Sequence, residues 1–456
     1  MSKKYFIETY GCQMNVHDSE RMSGLLDHAG YERAETDIDA DIVVINTCSV
    51  RERAEEKIYT RLGELRLLEA ESGRRRTVAV TGCVAQQEGD SLGRRTNGHV
   101  IDIVLGTQQI KQLPALVDRA TGRAGRVVEV GPLDDVTFPL GIARHSDAVR
   151  AYVTIIEGCN DHCSFCVVPH TRGHERMRRR MDILADVRAA ADTGRQEIHL
   201  LGQIVNHYED PDDGCDFAQL LADVNEVPGV TRIRFASPHP RHTGARLIEA
   251  VRSLSKVCKH LHLPVQSGST RVLKAMRRRH TREEYLDLLQ RIREAIPGVT
   301  FSTDVIVGFP GETVEDFNDT MTLTDLARFH GMFSFKYSPR PNTLAAMRMP
   351  DDVAEDEKTR RIVALQARQR EIQTRLHQAS VGSVLEVLVD SVSRHREFEL
   401  SGKSMANAVV KFAAPSDTSG VVLEQWIGRT VDVRIESASP HNLRGQAISR
   451  AMRVPC

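Results

Sequence analysis

The chain has 456 residues, a formal net charge of −1 and 27% charged residues. This length allows two or three domains with their own cores. The near-zero charge excludes a global field that attracts nucleic acid, so such a partner needs local patches. The N-terminal stretch has no apolar export segment or Arg/Ser-rich presequence, and no run approaches the ~18 apolar residues that span a bilayer. We therefore expect a cytoplasmic protein without a membrane anchor.

Residues 1–120 alternate strand-like and helical patterns, which predicts a parallel α/β sheet. Strands are expected at residues 4–9, 41–46, 77–81 and 101–105. Helices are expected at residues 18–29, from about 51 to 70, and from 108 onward, and Asp18 or Ser19 is expected to cap the first.

One cysteine follows each of the first three predicted strands: Cys12, Cys48 and Cys83. The carboxyl ends of parallel strands meet at one edge of a sheet, where α/β proteins bind ligands. We expect the three thiols to lie together there, where three thiolates can hold an iron–sulfur cluster with one open iron. One buried cysteine would need no such explanation, because cysteine packs well as a small hydrophobe.

Residues 121–149 are rich in Gly, Pro and Asp and are predicted to be a linker with one strand at 127–130. Six strand-like runs then alternate with helical patterns. These runs are residues 152–156, 198–201, 233–236, 261–265, 305–307 and 333–337. Thr281 is the expected cap of a helix at 282–295.

Cys159, Cys163 and Cys166 follow the first of these six strands with the spacing C-x3-C-x2-C. A structural zinc site uses four ligands, and most four-iron clusters use four cysteines. Three thiolates therefore suit a 4Fe–4S cluster that leaves one iron open to a small molecule. A zinc site completed by His162 or His170, or three buried structural thiols, remain as alternatives.

Residues 351–379 predict a long charged helix that packs back on the preceding unit. Short strands at 385–389, 409–412, 431–435 and near 447 predict a small β domain. Its charge is nearly balanced, so composition alone does not indicate RNA binding. Nine cysteines in a chain of this kind indicate metal ligands or free thiols rather than disulfides. Cys215, Cys258 and Cys456 belong to neither triplet and are expected to be free thiols.

The cysteine motifs resemble the methylthiotransferase family of radical S-adenosylmethionine enzymes, and the resemblance covers essentially the whole chain. The matching motifs are Gly11-Cys12-Gln13-Met14-Asn15, Asn46-Thr47-Cys48-Ser49-Val50-Arg51, Gly82-Cys83-Val84-Ala85-Gln86 and the later triplet with Phe165 before its last cysteine. The first two motifs are most similar to those of the branch that modifies N6-dimethylallyladenosine in tRNA.

The resemblance implies an α/β fold with three domains. It implies an N-terminal methylthiotransferase domain at residues 1–120, which is a parallel α/β sheet, and a linker at 121–149. It implies a radical core at 150–378, built as a partial (β/α)6 barrel with the cysteine loop at its carboxyl-end mouth. It also implies a TRAM domain, a small RNA-binding β-barrel, at 379–450.

The same resemblance implies two 4Fe–4S clusters and S-adenosylmethionine as cofactors. Cys12, Cys48 and Cys83 are implied to hold an auxiliary cluster, while Cys159, Cys163 and Cys166 hold the cluster that binds S-adenosylmethionine. Contacts to that cofactor are implied for Phe165, Gly202, Gln203, Gln266, Asp304 and Gly308. Ordinary turns between strands and helices are the alternative for these loops. No side chain is predicted as a catalytic acid or base.

The implied reaction adds a methylthio group to C2 of N6-(dimethylallyl)adenosine at position 37 of tRNA. One S-adenosylmethionine supplies the methyl group, a second supplies the radical, and the auxiliary cluster delivers the sulfur. That C–H bond is neither acidic nor electrophilic, which explains why the hard chemistry is left to cofactors. The implied partners are tRNA and a flavodoxin- or ferredoxin-type electron donor, and we expect a monomer.

Three alternatives remain for the function. The same chemistry can act on threonylcarbamoyladenosine in tRNA or on a ribosomal-protein aspartate, or the chain can be a non-catalytic iron–sulfur protein that binds tRNA. Two basic runs, Arg172 to Arg180 and Arg277 to Arg279, can hold RNA phosphates, although such runs are more often solvated faces. Met177, Ile204 and Asn342 stand where the family usually has Ser, Asn and Gly, which puts details of cofactor or substrate contact in doubt.

Overall fold

A computed structural model describes residues 3–49, 52–94, 101–121, 125–131, 139–393, 398–414 and 423–448. Cys456 and the last two residues of the predicted TRAM range lie outside the described residues. Within those ranges, no helix combines the length and the apolar character needed to cross a membrane.

The N-terminal unit is a six-stranded sheet with helices packed against it. Its elements are β1 (Lys4–Tyr10), α1 (Gln13–His28), β2 (Glu32–Arg33), β3 (Ile42–Thr47), α2 (Glu52–Ser72), β4 (Thr77–Gly82), α3 (Cys83–Glu88), α4 (Asp90–Arg94), β5 (Ile103–Leu105), a 3-10 turn (Thr107–Gln112), α5 (Leu113–Thr121) and β6 (Val127–Glu129). The order is β2-β1-β3-β4-β5-β6, and every pairing is parallel. Strand β3 is buried throughout, as its continuous apolar run predicted.

Two details of this unit differ from the sequence prediction. Helix α1 begins at Gln13, earlier than predicted, so the predicted cap by Asp18 or Ser19 is wrong. Cys12 holds the capping position with extended backbone, and Asp18 is buried within the helix. Strand β6 pairs with β5, so the sheet continues past residue 120 into the predicted linker.

The central unit is a partial (β/α)6 barrel. Its elements are β7 (Arg150–Thr154), β8 (Ile156–Glu157), α6 (Val168–Arg172), β9 (Arg176–Met177), α7 (Arg180–Asp192), β10 (Glu197–Leu201), α8 (Phe217–Asn225), β11 (Arg232–Phe235), α9 (Ala245–Ser253), β12 (His260–His262), α10 (Thr270–Ala275), α11 (Arg282–Ala295), β13 (Thr300–Val307), α12 (Val314–Ala327), β14 (Gly331–Lys336), α13 (Leu344–Arg348) and α14 (Glu355–Gln378). Strands β7-β10-β11 and β12-β13-β14 form two parallel sheets, and a parallel bridge from Ile233 to Val257 joins them.

Helix α14 packs against β14 and α12, as the charged pattern at 351–379 predicted. Arg361 on this helix donates to the buried Glu312 carboxylate at 2.7 Å. Gln369 donates to the Phe329 carbonyl at 2.8 Å. These polar contacts fix the helix on the outside of the barrel.

The C-terminal unit is a closed five-stranded barrel. Its strands are β15 (Val384–Val392), β16 (Glu399–Ser404), β17 (Val409–Ala413), β18 (Thr430–Ala438) and β19 (Leu443–Ala447), in the order β15-β16-β17-β19-β18. Strand β16 is absent from the sequence prediction. Trp426 is buried in the core of this small barrel.

The small barrel docks on the amino ends of the central strands. Arg234 donates to the Ser404 carbonyl at 2.8 Å, and Gln196 donates to the Gly428 carbonyl at 2.8 Å. Arg150, the first residue of β7, forms an ion pair with Asp390. The carboxyl ends of the strands, where barrel enzymes hold their active sites, face the opposite direction.

Candidate active site

The first cysteine triplet lies at one edge of the N-terminal sheet. Tyr10 of β1 pairs with Thr47 of β3, and Thr47 pairs with Gly82 of β4, so these three strands end in register. The cysteines follow these ends directly: Cys12, Cys48 and Cys83. The strand pattern alone predicted this convergence.

Two glycines let the three loops approach one another closely. A Cβ atom on Gly11 would lie 2.5 Å from the Cβ of Cys48, and one on Gly82 would lie 2.3 Å from the Thr47 carbonyl oxygen. Both glycines also have positive φ, 147° and 92°. A side chain at either position would push the neighbouring cysteine loops apart.

Buried amides fix the loop around Cys12 and Cys48. Asn15 donates to the Asn46 side-chain oxygen at 3.1 Å and to the Thr47 carbonyl at 2.9 Å. Asn46 donates in return to the Asn15 carbonyl at 2.8 Å. The Cys12 thiol donates to the Asn15 side-chain oxygen at 3.2 Å. These bonds hold the thiols in place from within the sheet.

The thiols of this triplet differ in acidity. The Cys48 thiol, helped by Arg172 and by backbone amides of α1, lowers the pKa of Cys12 to about 6. Burial raises the pKa of Cys83, although Arg172 acts against that increase. A buried arginine therefore acts electrostatically on two of the three sulfur atoms.

That arginine comes from the central unit of the molecule. Arg172 ends α6 and donates to the Asp18 carboxylate at 2.7 Å, and both side chains are buried. Gln108 donates to the Arg172 carbonyl at 3.0 Å, and Thr107 donates to the Thr171 carbonyl. Since α6 begins two residues after Cys166, a single short helix connects the two cysteine triplets.

The second triplet lies in the loop after β8, at the carboxyl-end mouth of the barrel. The Ser164 amide and hydroxyl donate to the Met276 and Ala275 carbonyls at 3.1 and 2.8 Å. Arg278 donates to the Pro264 carbonyl at 2.9 Å and contacts the Cys163 sulfur at 3.7 Å. The segment after β12 therefore supports the cysteine loop from one side.

Burial raises the pKa values of Cys159 and Cys166 to about 12. These thiols are therefore protonated at neutral pH unless a metal displaces the proton. In the described residues, no group of three or more Cys, His, Asp or Glu side chains has the geometry for a single metal ion. A cluster makes no such demand, because each thiolate binds a different iron.

Several buried polar atoms at the mouth have no protein partner in the described part of the chain. They are Gln203 Oε1 and the Nε2 atoms of His239, His242 and His280. Buried polar atoms normally have a partner. Unpartnered polar atoms beside a cysteine loop are consistent with a mouth that binds a polar molecule. The predicted cofactor, S-adenosylmethionine, is such a molecule.

The predicted cofactor contacts are distributed around this mouth. Gly202 and Gln203 follow β10, Gln266 lies after β12 with φ 76°, and Gly308 follows β13. Asp304 lies within β13, with a carboxylate oxygen 3.4 Å from His262 Nε2. Their roles toward S-adenosylmethionine stay predictions.

Phe165 is half-buried and packs against an apolar cluster at the mouth that includes Met276 and Phe309.

A Cβ on Gly308 would lie 2.4 Å from Lys358 Cγ on α14. Packing against that helix therefore already requires a glycine at this position.

Sequence reasoning missed a cluster of histidine rings at the mouth. The ring centroids of His207 and His242 are 4.4 Å apart, and those of His239 and His242 are 6.0 Å apart. His239 lies 5.7 Å from His280 in turn. Burial lowers the pKa values of His242 and His280 to about 4, so these rings are neutral at pH 7. Contacts between rings on different loops leave no local pattern in the sequence.

The three departures from the family pattern have plain structural settings. The Met177 sulfur accepts from the Glu209 amide at 3.0 Å. Ile204 is buried next to the turn after β10. Asn342 has φ 66°, a conformation that asparagine tolerates better than most residues.

The first basic run is largely engaged in ion pairs. Arg172 is buried against Asp18, and Arg178 binds Asp186 at 2.7 Å. Arg180 pairs with carboxylates at 2.8 and 3.1 Å. This run therefore offers less free charge to RNA than its sequence indicated.

Three family models match the chain. Residues 4–106 match the uncharacterized protein family UPF0004, residues 153–324 match the Radical SAM superfamily, and residues 378–448 match the TRAM domain.

Curated relatives match over nearly the whole length. A tRNA-2-methylthio-N(6)-dimethylallyladenosine synthase of Ralstonia pickettii is 45% identical over 464 residues and covers 99% of both chains. The proteins of the same name from Solibacter usitatus and Myxococcus xanthus are 41% and 42% identical and cover 98% of this chain, and 98% and 94% of their own.

Solved structures show the same fold at low identity. The radical S-adenosylmethionine methyltransferase TsrM from Kitasatospora setae matches with a TM-score of 0.55 and 14% identity, over 76% of this chain and 75% of that one. The cobalamin-dependent radical enzyme OxsB matches with a TM-score of 0.50 and 13% identity, over 81% and 62%.

Proposed function

The chain belongs to the tRNA-2-methylthio-N(6)-dimethylallyladenosine synthase family, and from this premise we propose the reaction that it performs. The enzyme adds a methylthio group to C2 of N6-(dimethylallyl)adenosine at position 37 of tRNA. It is a transferase of the radical S-adenosylmethionine class, with two 4Fe–4S clusters.

One observation carries this proposal: buried contacts join the sheet edge that bears one cysteine triplet to α6, which begins two residues after the other triplet. The triplet at the sheet edge and the triplet at the barrel mouth are linked by α6, whose Arg172 reaches Asp18 beside the first triplet. A methylthio transfer needs a radical site and a sulfur site that serve the same carbon atom. A protein with either triplet alone would not need this arrangement.

In this proposal Cys159, Cys163 and Cys166 hold one cluster, and Cys12, Cys48 and Cys83 hold the other. When bound, the clusters and S-adenosylmethionine supply radical chemistry, sulfur and the methyl group. The protein's own residues bind and orient. Arg172 holds α6 against α1, and Arg278 supports the loop of Cys163.

The remaining assignments follow from the same premise. We assign residues 1–120 to the auxiliary-cluster domain, 121–149 to a linker, 150–378 to the radical core and 379–450 to the TRAM domain. The partners are tRNA and a flavodoxin- or ferredoxin-type reductant. The enzyme works as a monomer in the cytoplasm.

The test is a reaction with anaerobically reconstituted enzyme, S-adenosylmethionine, reductant and tRNA from a strain that lacks the 2-methylthio group. Mass spectrometry of digested tRNA is expected to show 2-methylthio-N6-dimethylallyladenosine. A variant with Cys12, Cys48 and Cys83 changed to Ala is expected to yield 5′-deoxyadenosine without that nucleoside. This variant separates the radical step from sulfur insertion.

Other outcomes of the same assay identify the competing functions. Methylthiolated threonylcarbamoyladenosine would move the substrate to another tRNA nucleoside. Unchanged tRNA with a methylthiolated ribosomal-protein aspartate would indicate the protein-modifying branch. Absence of 5′-deoxyadenosine from the wild type would leave a non-catalytic iron–sulfur protein that binds tRNA.

A further inference from the structure

A basic cavity lies beside the cysteine loop of the barrel mouth, on the side formed by α10, α11 and the turn between them. Its volume is about 660 Å³, within the range of ligand sites. The lining residues are His162, Thr270, Lys274, Arg277, Arg279, His280, Thr281 and Glu284. His162 belongs to the cysteine loop itself, between Cys159 and Cys163.

The charge of this cavity is positive. Lys274, Arg277 and Arg279 are exposed cations, and Glu284 is the one acidic residue in the lining. Among the residues that the structure describes, neither Lys274 nor Arg277 has an ion-pair partner. Within the described ranges, the carboxylate that Arg279 reaches is that of Asp161, at 3.6 Å. The free charge of Lys274 and Arg277 contrasts with the first basic run, whose arginines are largely paired.

The backbone under the cavity is strained in a way that presents these arginines. Arg277 and Arg279 have φ values of 58° and 56°, in the left-handed region where glycine is the default residue. The buried Arg278 between them faces the cysteine loop, where it contacts Cys163. Positive φ at these two positions turns Arg278 inward and leaves Arg277 and Arg279 exposed at the cavity.

We propose that this cavity binds phosphates of the tRNA anticodon loop, which brings the nucleotide strand alongside the cysteine loop. The inference rests on the proposed function, and it assigns a binding site within it. A concave cavity with three exposed cations matches the charge of backbone phosphates. A contact with a protein reductant would need a surface larger than this cavity, about 800 Å² on each partner, so the cavity favours phosphates.

The test compares two double variants with one matched control. Arg277→Gln/Arg279→Gln removes both charges, and Arg277→Gly/Arg279→Gly removes the same charges while it relieves the backbone strain. Arg188→Gln/Arg375→Gln removes two exposed arginines from α7 and α14, neither of which has an ion-pair partner among the described residues. The ligand is an anticodon stem–loop RNA that contains N6-dimethylallyladenosine.

The readout is the dissociation constant of reconstituted full-length protein as a function of salt. Both Arg277/Arg279 variants are expected to bind about tenfold more weakly, and the slope of log K against log salt is expected to fall in magnitude by about 1.4. The control is expected to match the wild type. The glycine pair is expected to unfold at or above the wild-type temperature, so misfolding cannot explain its loss of affinity.

Unchanged RNA affinity and salt slope in both variants would overturn the inference. A second outcome would also overturn the inference: the variants bind RNA normally, and reduced flavodoxin reduces their clusters more slowly while dithionite reduces them at the wild-type rate. This outcome would assign the cavity to the protein reductant. Formation of methylthiolated tRNA by the wild type in the same preparation tests the proposed function separately from the cavity assignment. If the wild type methylthiolates tRNA and the variants bind RNA normally, only the cavity assignment fails.

Discussion

Gly82→Ala tests whether close packing at the sheet edge holds the first cysteine triplet together. The new Cβ would lie 2.3 Å from the Thr47 carbonyl oxygen, 2.4 Å from Asn46 Oδ1 and 2.9 Å from the Thr47 amide nitrogen. Two of these three atoms are backbone, so a side-chain rotation cannot relieve the contact. Positive φ costs about 1–2 kcal/mol for a residue with a Cβ, and overpacking adds about 1–3 kcal/mol. We expect a total destabilisation of about 2–5 kcal/mol.

The matched control is Gly30→Ala in the same domain. Gly30 has φ 86°, close to the 92° of Gly82, but a Cβ there would meet no atom within 4 Å. The control therefore carries the conformational cost alone, about 1–2 kcal/mol. Urea unfolding and iron content of anaerobically purified protein are the measurements. Gly82→Ala is expected to lose about four irons while Gly30→Ala retains about eight.

Equal destabilisation of the two variants, with equal iron content, would refute this reasoning. It would mean that the cysteine loops tolerate displacement, and that close approach of the strands at Thr47 does not position the cluster ligands.

Three further changes test the surrounding contacts. Arg172→Gln leaves the buried Asp18 carboxylate without its partner, so we expect the free energy of unfolding in urea to fall by about 3–5 kcal/mol. Adding Asp18→Asn to this variant is expected to recover part of that free energy. Additive losses from the two substitutions would contradict the ion pair. Thr281→Ala removes the capping box that this residue forms with Glu284 and should cost about 1 kcal/mol in the same assay, whereas an unchanged midpoint would deny the cap. Burial lowers the pKa of His280 to about 4, so the unfolded chain binds the extra proton between pH 6.5 and 4 and stability falls as the pH drops through that window. His280→Gln should flatten that dependence by roughly 2–3 kcal/mol, and an unchanged pH profile would refute the assignment.

Parallel strand patterns were sufficient to bring the first triplet together. Cys12, Cys48 and Cys83 each follow an apolar run, and parallel strands end at one edge, so local sequence determined a long-range site. The start of α1 was placed wrongly for the opposite reason. Asp18 looked like a helix cap because capping is local, but its partner is Arg172, far away in sequence.

The spacing of the cysteines alone predicted the second triplet. The contacts that hold its loop in place were not predicted. Arg278 appeared only as the middle of a basic run, whereas the fold turns it inward to Cys163 and leaves its neighbours exposed. That division depends on positive φ at Arg277 and Arg279. A left-handed backbone conformation is normally recognised in a sequence by a glycine. Both positions are arginines, so the sequence did not indicate this conformation.

The C-terminal barrel was recognised from four strands, and β16 was missed because Gly402 and Ser401 weaken its strand pattern. Its docking position also escaped prediction. Arg150 and Arg234 reach Asp390 and the Ser404 carbonyl across the domain boundary. Charged residues on barrel strands carry no sequence signal for a partner in another domain.

The central claim is that the chain holds two independent four-iron clusters on two cysteine triplets. The most direct measurement is iron and labile sulfide in protein purified without oxygen, for the wild type and for each triple Cys→Ala variant. We predict about eight irons in the wild type and about four in the variant of Cys159, Cys163 and Cys166, with about four again in the variant of Cys12, Cys48 and Cys83. About four irons in the wild type, falling to none without Cys159, Cys163 and Cys166, would mean that the sheet edge holds no cluster and would contradict the sulfur-insertion account.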